Sequence, residues 1–284
     1  MHLILILAAL IAACSLRYRW SVPRGNWTRR WERSLLLFIF PPLLLLVTAT
    51  AILFMGIEGQ MLGFQILSIA EGWLSYLLAV TFLITAVFWC IKLAASGILF
   101  LKHIRSFSQL KIAGKTVRVI ETPALFSAVV GFWKPEFAVT SGLLKTLDAD
   151  RLQAVIAHEQ AHYYYRDTFW FFWLGWLRHI AAWLPNTQAL WEELLMLREL
   201  RADAKASAQV DSLLLAEALL LVASYPQGYF DIACVVGAAG LPNRLEERID
   251  ALLAETKMIT QPNKWFWSWL LLALLPLVTV PFHG

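Results

Sequence analysis

The sequence predicts a mainly α membrane protein, with about four transmembrane helices and an α+β domain between the third and last spans on the cytoplasmic side. Three observations predict it. The 284 residues are 59% hydrophobic and 15% charged, with a mean hydropathy of +0.62, whereas about a quarter of a soluble chain is charged. The charges are clustered, and the stretches between them approach the roughly 17–25 apolar residues that a span needs. One more polar run carries His158-Glu159-Gln160-Ala161-His162 within a helical repeat.

Residues 3–16 are apolar and uncharged, and end in Ile11-Ala12-Ala13-Cys14, which looks like a lipoprotein cleavage box. A signal peptide carries its positive charge in front of the apolar run. Here no Lys or Arg precedes it, while Arg17, Arg19, Arg24, Arg29, Arg30 and Arg33 follow. The run therefore reads as an uncleaved first helix with its N-terminus outside, short for a span, which Tyr18 and Trp20 extend to the interface. Residues 34–55 form a second span that Pro41-Pro42 should kink. Residues 56–72 hold Glu58 and Glu71 and no basic residue. Residues 73–101 form a third span, interrupted by Lys92, and Lys102, Arg105, Lys111, Lys115 and Arg118 follow it. Basic loops face the cytoplasm, so the order is N-terminus out, then in, out and in. A last span covers 265–281. The expected organisation is a membrane region over 1–101, a cytoplasmic-face domain over 102–260 and a C-terminal span over 261–284.

Within the middle segment, residues 116–121 alternate and read as a strand. Residues 126–132 and 136–140 flank Trp133-Lys134-Pro135 and read as a hairpin. A strand beside the His-bearing helix would suit a zincin, where a substrate adds on as a further strand. Residues 168–184 hold Arg178 and His179 among aromatics. They make a poor span and read as an aromatic helix or re-entrant element against the membrane. Helices are expected over 188–209, 211–225 and 242–256.

Composition also excludes. The net charge is +4 without a Lys/Arg stripe, so direct nucleic-acid binding is not expected. Cys14, Cys90 and Cys234 form no CxxC, so neither a disulfide framework nor a cysteine metal site is implied. A transporter wants several ionisable groups inside spans, and only Lys92 qualifies.

The chemistry is concentrated at residues 148–162. Asp148 is the expected N-cap, Asp150 stands in the first turn, and Leu152, Val155 and Ile156 make an inward stripe. His158 and His162, four apart, project from one helix face. Two neutral imidazoles so placed can hold Zn²⁺. Glu159, beside the metal without binding it, can take a proton from water and pass it to a leaving amine. With six His in the chain, chance placement gives this pattern with a probability of about half a percent. A catalytic zinc needs a third protein ligand. Glu192, Glu193, Glu199, Asp203 and His179 are candidates. Glu199 and Asp203 lie four apart on one helix face, so Glu199 can reach the metal while Asp203 holds a ligand imidazole by its free N–H.

His158-Glu-Gln-Ala-His-Tyr-Tyr-Tyr-Arg-Asp167, followed by Arg198-Glu-Leu-Arg-Ala-Asp203 and set between three spans and one, resembles the BlaR/MecR-type membrane zinc metallopeptidases. Phe126 to Leu144, with Gly131-Phe-Trp-Lys-Pro135, is similar to the strand region of that family. The resemblance covers roughly residues 70–255. It implies a zincin-like (gluzincin) metalloprotease domain with His158, His162 and Glu199 as zinc ligands, Glu159 as the catalytic base and Asp203 behind a ligand His. Asp167 matches an Asp after the family's zinc helix, and a structural role is expected of it. The family's sensors carry a penicillin-binding domain after the last span. The sequence ends there, so β-lactam sensing is not expected. In the related HtpX/Ste-type proteases a His-Pro often precedes a Glu-Arg-Ile helix. Here Leu241-Pro242 precedes Glu247-Arg248-Ile249, which removes a His electrophile. Tyr163, Tyr164, His179 and Arg248 remain as oxyanion donors, though a structural role is favoured for each.

The expected function is that of an integral-membrane zinc endopeptidase in a bacterial-type inner membrane, cutting a protein regulator such as a BlaI-type transcriptional repressor at the cytoplasmic face. Membrane-protein quality control is the runner-up. A proteolytically silent receptor or scaffold is the reading from another class, and it would have no need of Glu159.

Overall fold

In a computed structural model, the structure describes residues 2–21, 26–57, 60–61, 64–65, 69–112, 114–224, 244–254 and 264–282. The chain divides into two compact units. One holds Met1–Lys92, Leu174–Leu194 and Gln261–Gly284, the other Leu93–Trp173 and Leu195–Thr260.

In the first unit, α1 (His2–Tyr18) packs on α2 (Trp27–Met55) through Ala9 and Ala13 against Leu44 and Leu45. Asn26 caps α2 by accepting from the Thr28 amide. Pro41 and Pro42 lie inside α2, which nonetheless runs on as one 29-residue helix. The expected kink therefore does not end it. Short strands β1 (Gln60–Met61) and β2 (Phe64–Gln65) pair before α3 (Ile69–Ser106). Two described helices are long and apolar enough to cross a membrane: α2, and α3 over Glu71–Ser106 with a most apolar window only 17% buried. α1 has 17 residues, and the C-terminal stretch is a 3₁₀ helix, Lys264–Leu274, followed by a single α-helical turn. Two of the four expected spans thus reach spanning length as continuous helices. Buried charge ties the unit together. Arg30 Nε donates to Glu193 Oε1 at 2.8 Å, and Arg17 donates to Thr187 Oγ1 at 3.0 Å and to the Phe38 carbonyl at 3.1 Å.

The second unit is built on a four-stranded sheet ordered β3-β4-β6-β5, from β3 (Ser108–Ile112), β4 (Lys115–Ile120), β5 (Ser127–Val130) and β6 (Glu136–Thr140). β4 and β6 are parallel and the other pairs antiparallel. Alternation sends Val117, Val119 and Val139 to one face, where they meet Leu143, Val155 and Ala218 of the helices. Ala128, Val130 and Ala138 go to the other, against Phe100, Leu101 and Ile104 at the end of α3. Thr140 closes β6 and caps α4 (Ser141–Thr146), accepting from the Leu143 amide while donating to the Ala124 carbonyl at 2.6 Å. A Cβ on Gly142 would lie 2.2 Å from the Pro123 carbonyl oxygen, so only glycine fits that close approach.

α5 (Ala149–Tyr165) starts at the predicted cap, where Asp148 accepts from the Arg151 amide at 2.9 Å. Val155 and Ile156 are buried as expected, and Leu152 is half-buried. α6 (Asp167–Ile180), α7 (Thr187–Ala206), α8 (Ser212–Ser224) and α9 (Leu245–Leu253) follow. The helix expected over 242–256 is described only between 244 and 254. Ala154 and Ala157 of α5 pack with Ala206, Leu215 and Leu252.

Candidate metal centre

α5 delivers His158 and His162 from one face, and α7 delivers Glu199 and Asp203 from the facing one. The three outer donor atoms converge. His158 Nε2 lies 3.1 Å from His162 Nε2 and 3.3 Å from Glu199 Oε2, and His162 Nε2 lies 3.6 Å from Glu199 Oε1. Three zinc bonds of about 2.0–2.1 Å at tetrahedral angles separate their donors by about 3.3–3.4 Å. The spacing and chemistry of the donor set fit a zinc ion. The donors line a cavity of about 60 Å³ together with Ser127, Ala128, Glu159, Thr168 and Arg198.

The inner ring nitrogens face carboxylates. His162 Nδ1 lies 2.7 Å from Asp167 Oδ2. His158 Nδ1 lies 2.8 Å from Asp203 Oδ1, though off the line of a good hydrogen bond. If each ring donates inward, both Nε2 atoms carry lone pairs, and two lone pairs 3.1 Å apart repel unless a proton or a cation lies between them. Burial opposes charge on both rings, but Asp203 and Glu199 outweigh it at His158, whose pKa is raised to about 10. Glu199 and Asp167 likewise raise His162.

Guanidinium groups hold these carboxylates in turn. Arg248 of α9 grips Asp203 with two bonds of 2.7 and 2.9 Å and reaches Glu199 at 3.4 Å. Arg198 donates to Glu199 Oε1 at 2.7 Å, and Arg201 bonds Asp167. Burial works against both anions, yet Arg198, His162 and Arg248 hold Glu199 well below the usual carboxylate range, and Arg248 with His158 holds Asp203 below it. Glu159, next to His158 and 6% exposed, accepts a 2.7 Å hydrogen bond from Ser127 Oγ on β5. β5 pairs only with β6 among the described strands, and its Ser127 and Ala128 line the cavity.

The structure thus brings together His158, Glu159, His162, Glu199 and Asp203 from the sequence reading. The other candidates lie elsewhere. Glu193 pairs with Arg30, and Glu192 accepts from Gln188 at 2.7 Å. His179 stacks on Trp89. Tyr163 and Tyr164 are exposed, the latter under Lys205. Arg248 is turned onto Asp203. None of these lines the cavity. Asp167, expected to be structural, faces the His162 imidazole. Its position depends on Arg166, which takes the left-handed conformation (φ 54°) and bends the chain straight from α5 into α6. The signal was its place five residues after His162, just past the cap of a helix. Ser127 and Arg198 gave no comparable sign.

Residues 102–224 match the model of peptidase family M48, a zinc metallopeptidase family. The match takes in His158, Glu159, His162, Glu199 and Asp203 and covers less than half of the chain. It supports a metallopeptidase, but it does not carry the BlaR/MecR-type assignment that the sequence resemblance implied. No curated protein matches the chain. The matched stretch contains the two histidines and the distant glutamate that the geometry brings together.

Proposed function

We propose that the chain is an integral-membrane zinc endopeptidase that hydrolyses peptide bonds at the cytoplasmic face. One observation carries the reading. Two imidazoles and a carboxylate converge at zinc-ligand spacing, with a second carboxylate, Glu159, beside them in a cavity lined by the edge strand β5. His158, His162 and Glu199 would hold the ion, which when bound supplies Lewis-acid polarisation of the scissile carbonyl and makes water more acidic. The rest belongs to the chain. β5, the terminal strand of the sheet beside the cavity, would align an extended substrate by backbone hydrogen bonds. Ser127 fixes one oxygen of Glu159 and leaves the other free to take a proton from the attacking water. Glu159 then gives that proton to the departing amine.

A structural zinc site in a silent receptor or scaffold would need no such base. Glu159→Gln separates the two. General-base loss costs typically 10²–10⁴-fold in rate, so cleavage in native membranes should fall by at least 100-fold with zinc stoichiometry unchanged. Cleavage that survives this change removes Glu159 from its role.

Regulated cleavage of a BlaI-type repressor is the finer reading that the sequence resemblance supports, and quality control of membrane proteins is the other. They differ in whether the scissile segment is soluble or tethered to the bilayer.

A further inference from the structure

We propose that the tip of the β5–β6 hairpin and the first two turns of α6 form an anchor in the bilayer interface. The candidate site would then cut extended segments only a few residues from the membrane surface. The second half of this rests on the endopeptidase reading; the first does not.

Phe132 sits at the centre of an aromatic group, with ring centroids 4.8 Å from Trp133, 4.9 Å from Phe169 and 4.7 Å from Phe172. The group is not closed over. Trp133 is 77% exposed and Trp170 55%. Two large indoles held outward by a packed aromatic base are costly in water. Trp is the side chain that the membrane–water interface favours, with an apolar body and a polar N–H. Lys134 beside Trp133 is also exposed and can place its ammonium among anionic headgroups.

The sheet shows which surface covers this ledge. Gly131, at the base of the tip, lies against Leu101 of α3, a helix that carries a candidate span. β4 and β6 run parallel, with Val117 opposite Phe137. The β3–β4 turn, flanked by Lys111 and Lys115, is therefore at the same end of the sheet as the tip. α3 passes Leu101 near that end before it finishes at Ser106. The end of the sheet from which α3 arrives thus carries the exposed indole and three lysines, a match for an anionic leaflet. A second copy of the chain would have to bury those lysines.

The site is close by along both elements. Ser127, which holds Glu159, lies four residues before Gly131, about 13 Å of strand. Asp167, which faces His162, lies three residues before Trp170, about 4.5 Å of helix. With the tip and the indoles at the interface, the cavity stands about 5–13 Å above it. An extended chain crosses that in roughly two to four residues.

The test uses the full chain with Cys14, Cys90 and Cys234 replaced by Ala, in vesicles of phosphatidylcholine and phosphatidylglycerol. A fluorophore is attached at Trp133→Cys or, at the opposite end of the sheet, at Glu121→Cys. Shallow spin-labelled lipids should quench the first at least threefold more than the second. Equal quenching, or quenching of neither, overturns the anchor, as does shielding of Trp133→Cys by cross-linking to a second copy. Cleavage is then followed on one sequence, as a free peptide and tethered to a transmembrane segment by linkers of 4 or 25 residues. Trp133→Ala/Trp170→Ala should lower kcat/KM at least tenfold for the short tether and leave the free peptide within twofold. An equal loss on all three substrates overturns the proximity argument. If the parent protein cuts none of them, the peptidase reading fails while the quenching result still decides the anchor.

Discussion

Asp203 sits between His158 and Arg248, so it has two tasks that one substitution separates. Asp203→Asn keeps the shape and removes the charge. Losing the carboxylate behind a ligand imidazole typically costs 10–100-fold in metal affinity, and competition with a chromogenic chelator should find a loss in that range. The same change leaves the Arg248 guanidinium buried without its bidentate partner. Breaking a buried pair from one side costs about 3–5 kcal/mol, so denaturant midpoints should fall as well. Asp203→Asn/Arg248→Met should recover much of the stability and little of the zinc affinity. Protons report on the same group. An ordinary imidazole is about one-quarter charged at pH 7, whereas His158, raised to about 10 by Asp203 and Glu199 against the effect of burial, is almost fully charged. Zinc requires the neutral ring. Titration calorimetry in buffers of different ionisation enthalpy should therefore show close to one proton released from His158 at pH 7, with His162 adding to it. A total below about half a proton would mean the rings were neutral beforehand. The linkage has the matching sign in the metal-free chain. The contribution of His158 is fully present below its unfolded pKa near 6.5 and is lost as pH rises through about 10.

At the scale of elements, the helices that carry the site were the most legible part of the sequence. Asp148 announced the start of α5, and four-residue spacing announced the shared faces of His158 with His162 and Glu199 with Asp203. Local pattern is enough for both. The partners of those residues were not legible, because they depend on contacts distant in sequence or on one unusual backbone angle. Arg248 meets Asp203 across 45 residues, and Ser127 meets Glu159 across 32. Asp167 reaches His162 only because Arg166 turns left-handed between α5 and α6. A non-glycine residue there carries strain of about 1 kcal/mol or more, and glycine is the usual occupant of such a cap. Arg166→Gly should accordingly leave stability unchanged or raise it by up to about 1 kcal/mol, with zinc affinity kept. Arg166→Val, with a branched Cβ at positive φ, should lower both, because it moves Asp167 away from the ring. Thermal unfolding and chelator competition on the two variants read these effects separately. If glycine and valine lowered zinc affinity equally, the turn would have no part in aiming Asp167.

For the whole molecule, orientation in the membrane is the property that rests most on charge, and the structure changes which charges count. Six arginines between residues 17 and 33 argued for a cytoplasmic loop. Arg17 is fully buried on Thr187 and the Phe38 carbonyl, and Arg30 is buried on Glu193, so both serve packing. Among the described residues of this stretch, Arg19, Arg29 and Arg33 are exposed and able to meet headgroups. That is still an all-basic set facing a 56–72 segment without a single Lys or Arg, so the inward bias survives on three of the five described arginines. The expected first span falls short as a continuous helix, since the 17 residues of α1 cover about 26 Å of a roughly 30 Å hydrocarbon core. The expected arrangement keeps the start of the chain outside and the metal-binding unit inside. A membrane-impermeant thiol reagent on intact cells should modify a cysteine placed before His2 in the cysteine-free chain. It should reach Glu121→Cys only after the membrane is permeabilised. Reversing Arg19, Arg29 and Arg33 to Glu should produce a mixed population, because the bias carried by three charges is then opposed. Labelling of Glu121→Cys on intact cells with the arginines in place would put the peptidase unit outside, and cytoplasmic substrates would then be beyond its reach.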